Sequence, residues 1–198
     1  MENFKRKSDD TLVSEYLSGS NKAFDELLSR YQSKLFSYIV YMVKNQDTAN
    51  DLFQETFVKV IVHLHDGRYV ANGKFYAWLT RIAHNVIVDY FRDCNEMKIY
   101  EAPNDNDLSN IIQLSTTDIN KEEEILRQQV LADVKSLMGK LPALQSEIVY
   151  MRFYQNMSFK EIAEVTGVSI NTALGRMRYA LINMRRMMHK HNVWLEVV

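Results

Sequence analysis

Glycine and proline are scarce here, 6 and 2 among 198 residues. That scarcity excludes a fold of short strands and tight turns, and it excludes collagen-like or linker-like sequence. Cys94 has no second cysteine to pair with, which rules out an internal disulfide and suits a reducing cytosol. The opening residues, MENFKRKSDDT, carry no apolar signal region. The most apolar stretch, FSYIVYMV from Phe36 to Val43, falls far short of the roughly 18 apolar residues that mark a membrane span. A cytoplasmic protein with no membrane insertion is therefore expected. The histidines cluster only as His63-Leu64-His65-Asp66 and His189-Lys190-His191. Residues two apart on a helix point to different sides, so no metal site is expected. No Gly-rich phosphate loop, nucleophile elbow or pair of catalytic carboxylates stands out, so neither an enzyme nor a cofactor is expected.

What is present is helical spacing. DDTLVSEYLSG reads as a short helix closed by Gly19. From Asn21 to Lys44 the apolar residues Phe24, Leu27, Leu28, Tyr31, Leu35, Ile39 and Met42 recur at helical intervals. Asp47 reads as the N-cap of a third helix reaching about His63. Gly67 to Gly73 reads as a loop. A fourth helix is expected from about Lys74 to Arg92, with Phe75, Leu79, Ile82, Ala83, Val86 and Tyr90 facing inward. These elements make one four-helix domain, residues 1–94.

The next stretch changes character. EAPNDNDLSNIIQLSTTDINKEEE carries Glu101, Asp105, Asp107, Asp118, Glu122, Glu123 and Glu124 against Lys121 alone. Such a composition buries too little apolar surface to fold by itself, so residues 95–120 read as an acidic, flexible linker. A second helical domain, 121–198, follows. One helix runs to Met138 and is closed by Gly139. Leu141-Pro142 opens the next, which carries Leu144, Ile148, Met151 and Tyr154. The fold class is all-α, two small helical domains joined by the linker.

Within the second domain, Ser158 and Glu161 have the spacing of a capping box. Gly167 permits a left-handed turn, Ala163 lets a second helix cross closely, and Ser169 caps a last helix reaching about Lys190. This is the spacing of a helix-turn-helix. On the last helix, Ile170, Ala173, Met177, Leu181, Met184 and Met188 fall on one face. The opposite face shows Asn171, Gly175, Arg178, Tyr179, Ile182 and Arg186, flanked by Thr172, Arg176, Asn183 and Arg185. From Val168 to His191 there are arginines and a lysine and no acid, although the whole chain has a net charge of -1. A helix entering the major groove approaches phosphates on both sides, where an acid would be repelled. Arginine can also grip guanine, and asparagine adenine. A solvated basic face on an ordinary helical hairpin is the alternative.

The first domain says more. DLFQETFVKV, Asp51 to Val60, and FYAWLTRIAHNVIVDYFR, Phe75 to Arg92, resemble regions two-point-two to two-point-four of bacterial sigma factors. LPALQSEIVYMRFYQNMSFKEIAEVTGVSINT, Leu141 to Thr172, resembles region four. Order, spacing and length resemble the small extracytoplasmic-function (ECF) group. The resemblance implies a subunit that binds core RNA polymerase, recognises a promoter and helps open it. The polymerase-contacting positions fall on Asp51, Gln54 and Glu55, which would meet the clamp of the largest polymerase subunit. The resemblance implies that the loop His65 to Lys74 forms the pocket for an unstacked, non-template base, and that this loop and the fourth helix would read the minus-ten element. Asn85 matches the base-selecting position, and Asp89 lies one turn on. The residues themselves place Arg81, His84, Val88 and Arg92 away from the inferred core, a face suited to single-stranded DNA. Among the aromatics, Phe75 and Trp78 read as packing residues and Tyr76 as the candidate for stacking on a base. The richer aromatic melting motif of primary sigma factors is lacking, which implies a restricted set of promoters.

Region four would read the minus-thirty-five element through Asn171, Thr172, Gly175, Arg176, Arg178 and Tyr179, with Arg186 on the same face. Leu174 and Gly175 depart from the family pattern, where basic and small polar residues are frequent. The linker resembles, in position, a segment that threads toward the polymerase active site; a solvated tether is the alternative. Factors of this group are often held by an anti-sigma partner, which is expected here on resemblance alone. Two other readings stand at this point. One is a helix-turn-helix repressor or activator that binds duplex operator as a dimer. The other is an interaction protein with a decayed helix-turn-helix.

Overall fold

The structure, a computed structural model, describes residues 4–97 and 134–190. The acidic stretch Glu101 to Glu124 and the first part of the helix expected from Lys121 lie outside the described residues. Among the described residues there are helices and turns but no strand. A short 3-10 turn, Phe4–Arg6, precedes α1 (Asp9–Leu17), α2 (Asn21–Val43), α3 (Gln46–His65) and α4 (Phe75–Met97). Helical residues 134–139 (α5) lead to α6 (Ala143–Phe153), α7 (Phe159–Thr166) and α8 (Ile170–Lys190). The chain divides into two compact units.

In the first unit α2 is the hub. It packs on α1, α3 and α4, and α3 packs on α4. Leu27, Leu35 and Ile39 are buried as their spacing predicts, and Tyr38 is buried with them. Phe24, Leu28, Tyr31 and Met42 are half-buried. α1 contributes Leu12 and Val13, and α3 contributes Leu52, Val60 and Leu64. α4 contributes Phe75, Leu79, Ile82, Ala83 and Val86 as expected, and Ile87 besides. Tyr90 is half-buried. Burying one such aliphatic or aromatic side chain stabilises by about 1.5–3 kcal/mol.

The helix ends follow local chemistry. α1 closes at Gly19, whose φ is 104°, where a side chain would be strained. The N-cap of α3 lies two residues before the expected one. The Asn45 side-chain oxygen accepts from the Thr48 N–H at 2.8 Å, so Asn45 caps and Asp47 sits in the first turn. There its charge still favours the helix dipole. α4 runs on to Met97, past both the expected helix end and the expected domain boundary at residue 94.

In the second unit α6 packs on α8. Gly139 does not close its helix through a left-handed residue. The Lys140 and Leu141 amides instead reach the Leu137 and Met138 carbonyls at 3.1 and 3.2 Å, a tightened last turn. Pro142 stands at the N-cap of α6, and its carbonyl accepts from the Gln145 and Ser146 amides. Every residue from Ser146 to Met151 is buried. Leu144, expected with Ile148 and Met151, is instead 53% exposed, as it sits in the first turn before the helix enters the core.

The α6–α7 connection is held by Arg152, which donates to the Met157 carbonyl at 2.9 Å and lies over the Phe159 ring. The Ser158–Glu161 capping box is made in both directions: the Ser158 N–H donates to Glu161 at 2.8 Å, and the Glu161 N–H donates to Ser158 at 3.3 Å. Gly167 has φ 66°, and the next amide, Val168, bonds the Ala163 carbonyl at 3.1 Å. Ser169 caps α8 by accepting from the Thr172 N–H at 3.0 Å. The helix-turn-helix is therefore formed as its spacing implies.

The inward face of α8 departs from the expected one. Ala173, Met177 and Ala180 are buried and Met184 is half-buried, whereas Ile170 and Leu181 are 46% and 44% exposed. Two alanines allow a closer approach than leucine would, and the buried stripe turns toward them. Asn183 then bridges to α6 by donating to the Gln145 side-chain oxygen at 2.8 Å. Among the described residues no helix is long and apolar enough to cross a membrane.

The glycines on either side of Ser169 should respond oppositely to alanine. A Cβ at Gly175 would meet nothing within 4 Å, and its helix position should gain about 1 kcal/mol. At Gly167 the left-handed backbone should cost about 1–2 kcal/mol. Urea unfolding of Gly175→Ala and Gly167→Ala should move the midpoint in opposite directions; a shared direction contradicts this geometry.

Candidate functional site

The buried stripe of each helix decides what the helix shows outward. On α4 the core stripe leaves Arg81, Asn85, Val88 and Arg92 exposed, at intervals of four, three and four along one line. His84 and Asp89 flank that line and are half-buried. The Tyr38 hydroxyl lies 3.3 Å from His84 Nδ1, and Arg92 pairs with Asp89 at 3.2 Å. The stripe therefore combines cations, an amide and an apolar side chain.

Tyr76 is not on this stripe. It faces α2, where its ring stacks on Tyr31 at 5.0 Å and the Lys34 ammonium lies 4.4 Å from its centroid. Burial lowers the pKa of that ammonium. A ring so engaged is a packing element in this structure. Phe75 is 2% exposed and Trp78 half-buried, and both contact Tyr69, in keeping with their reading as packing residues.

The loop between α3 and α4 is tied down from a distance. The Tyr69 hydroxyl donates to one Asp10 oxygen, and the Gly73 N–H donates to the other at 2.9 Å. Asp9, beside it, accepts from Arg30 at 2.8 Å and from the Tyr31 hydroxyl. Asp9, Asp10, Arg30 and Tyr31 did not figure as functional in the sequence, and Tyr69 and Gly73 did so only as members of the loop. Their partners lie 21 to 63 positions apart, beyond the reach of any local pattern. Burial first, and then donation to Asp10, pushes the Tyr69 hydroxyl well above the usual tyrosine range. Burial and donation to Asp9 do the same for Tyr31.

On α3, Asp51, Gln54 and Glu55 are all exposed. Glu55 pairs with Lys59 at 2.9 Å, one turn on. Val58 and Val62 continue the line from Asp51 and Glu55 and are 61% and 49% exposed. They are hidden in the sequence by the apolar run around them. Only their register, opposite Thr56, Val60 and Leu64, marks them as outward.

On α8 the structure brings Asn171, Arg178 and Ile182 onto one exposed line in which Gly175 is half-buried, with Tyr179, Arg186 and Thr172 along its edge. Arg176 is half-buried at the margin, nearer the core than its spacing implied. The Thr172 hydroxyl is already engaged with Ser169 at 2.8 Å. Among the described residues no three His, Cys, Asp or Glu side chains gather in a way that could hold a metal ion.

Comparison with known proteins bears on this arrangement. Residues 27–96 match the family model for sigma-70 region 2, and residues 131–178 match that for sigma-70 region 4. The two spans together take in more than half of the chain. The ECF RNA polymerase sigma factor BldN of Streptomyces coelicolor is 29% identical over 79% of this chain. The chain is an RNA polymerase sigma factor of the ECF group. The RNA polymerase sigma factor SigZ of Bacillus subtilis is 26% identical over 78% of the chain. The alignments span 56% of BldN's own length and 80% of SigZ's. In fold, this sigma factor is similar to sigma factor RpoE from Bartonella quintana, solved with the anti-sigma factor NepR. The TM-score is 0.61 at 19% identity, over 85% of this chain and 98% of the other. The α4 stripe falls in the region 2 match, and the α8 line from Asn171 to Arg178 falls in the region 4 match.

The raised tyrosines give a pH test. A folded value above the unfolded one adds stability that is complete below about pH 10 and declines as pH rises through the folded value. Alkaline unfolding of Tyr31→Phe with Tyr69→Phe should therefore show a shallower decline above about pH 10 than the parent. Identical slopes would contradict the two hydroxyl–carboxylate contacts.

Proposed function

We propose that this sigma factor binds core RNA polymerase, recognises a promoter at two elements and helps to open it. The observation that carries this reading is the pair of outward stripes, Arg81–Asn85–Val88–Arg92 on α4 and Asn171–Gly175–Arg178–Ile182 on α8. Each is rich in groups that meet phosphate and base edges, and each lies in a unit matched to a sigma region. The domain expected at residues 1–94, with α4 carried on to Met97, would serve the polymerase and the minus-ten element, and 121–198 the minus-thirty-five element, with the rest of 95–120 as the tether between them. The minus-ten set is Arg81, Asn85, Val88 and Arg92, flanked by His84 and Asp89. Tyr76 would contribute as a support rather than as a stacking surface. The minus-thirty-five set is Asn171, Thr172, Gly175, Arg176, Arg178, Tyr179 and Arg186. Gly175 leaves open space above the helix, which favours close approach of a phosphate rail.

The polymerase-facing set is Asp51, Gln54 and Glu55, extended by Val58 and Val62. An apolar strip bordered by acids and an amide suits a helical partner with a basic margin, such as the clamp of the largest polymerase subunit. The action is by binding, without a covalent step, in the cytoplasm where polymerase works. An anti-sigma protein is a further proposed partner, as NepR is for RpoE. The dimeric-repressor reading, in which the first domain would sense a ligand or dimerise, is not favoured, since residues 27–96 match sigma-70 region 2.

Two experiments test the assignments. Arg178→Ala in the holoenzyme should weaken promoter binding and reduce the slope of log affinity against log salt by about one. An unchanged slope removes Arg178 from the phosphate or base contacts. Gln54→Ala with Glu55→Ala should weaken core polymerase binding about fivefold or more while thermal unfolding stays unchanged. Undiminished capture of core polymerase by that variant rules out this part of the face.

A further inference from the structure

The loop from Asp66 to Lys74 is an arch held at both feet by one side chain. Tyr69 and Gly73 both donate to the Asp10 carboxylate, one to each oxygen. Between them Val70, Ala71 and Asn72 stand exposed, Val70 to 71%. The far foot is set again where the Lys74 N–H donates to the Asn72 side-chain oxygen at 3.1 Å, beside the start of α4. The near foot is set by the Tyr69 ring, which rests edge-on against Phe75 and Trp78.

The clamp itself is well founded. Asp9 binds Arg30, and Arg30 also reaches Glu26 at 3.0 Å and the Phe4 carbonyl at 2.9 Å. The start of α1 is thus fixed to α2 independently of the loop. α1 lies before residue 27, where the region 2 match begins, so the loop's anchor comes from outside the matched span. Leu12 and Val13 are buried at 0% and 4% and keep α1 docked whatever stands at position 10.

An exposed arch fixed beside the first turn of α4 needs no ordering when a ligand arrives, and a preorganised loop loses less entropy on binding. We propose that Asp10 is a positioning residue for promoter reading: by gripping Tyr69 and Gly73 it presents Val70, Ala71 and Asn72 in one fixed shape to an unstacked base of single-stranded DNA. This rests on the reading of α4 and its preceding loop as the minus-ten interface. Asp10 touches no DNA in this scheme; it acts through the arch.

The test uses the full chain, free and in holoenzyme. In Asp10→Ala, amide exchange across residues 66–74 should quicken about tenfold, as a charge-assisted contact is lost. Core polymerase binding should stay within about twofold, since α3 is untouched. Discrimination among the four bases at the unstacked minus-ten position should fall about tenfold in permanganate-monitored opening of promoter variants. Asp10→Asn keeps one acceptor oxygen and should give an intermediate loss on both readouts, which also serves if the alanine variant fails to fold. Unchanged exchange overturns the clamp. Faster exchange with intact base discrimination overturns the positioning role. A parent holoenzyme that shows no base preference there, while exchange responds to the substitution, overturns the minus-ten reading and the role of Asp10 with it.

Discussion

Burial of one stripe of α2 against three other helices is the constraint on which the first unit depends. Leu27, Leu35, Tyr38 and Ile39 cannot reach solvent, so α1, α3 and α4 must each turn an apolar stripe toward them. Once those stripes are fixed, the opposite faces are fixed as well. Arg81, Asn85, Val88 and Arg92 line up on α4 because Leu79, Ile82, Ala83 and Val86 line up beneath them. Asp51, Glu55, Val58 and Val62 line up on α3 because Leu52, Thr56, Val60 and Leu64 do. Function in this unit is the outward residue of an inward packing problem.

The second unit solves the same problem with smaller side chains. Ala173 and Ala180 are fully buried, so α8 approaches its neighbours closely and its large apolar residues Ile170, Leu174 and Leu181 move toward the edge. The line left facing outward holds Asn171, Arg178 and Ile182, with no acid from Val168 onward through the helix. A helix stripped of negative charge gives up stabilising pairs within itself, each worth about 0.2–0.5 kcal/mol. That cost is small beside the repulsion an acid would meet between phosphates.

Local chemistry was legible before the fold was known. The Ser158–Glu161 box, the Gly167 turn, the Ser169 cap and the α4 stripe each need only neighbours within about one helical turn. Legibility failed where tertiary contact decided between equal local choices. Asn45 and Asp47 are both good caps, and the chain uses Asn45. Ile170 and Leu181 satisfy helical spacing as well as Ala180 does, and packing distance selects the alanine. Tyr76 and Tyr69 are alike in sequence as aromatics near a loop, yet one is stacked under Lys34 and Tyr31 and the other tethers the loop to Asp10. No periodicity connects Asp10 with Gly73; only the folded chain brings them together.

The most direct measurement is transcription from genomic fragments by purified core polymerase with and without this chain, alongside duplex binding by the chain alone. The account expects initiation at discrete start sites only when both are present, and weak binding of intact duplex by the chain alone. No added initiation, together with tight occupancy of duplex DNA by a symmetric dimer of the chain, would contradict it.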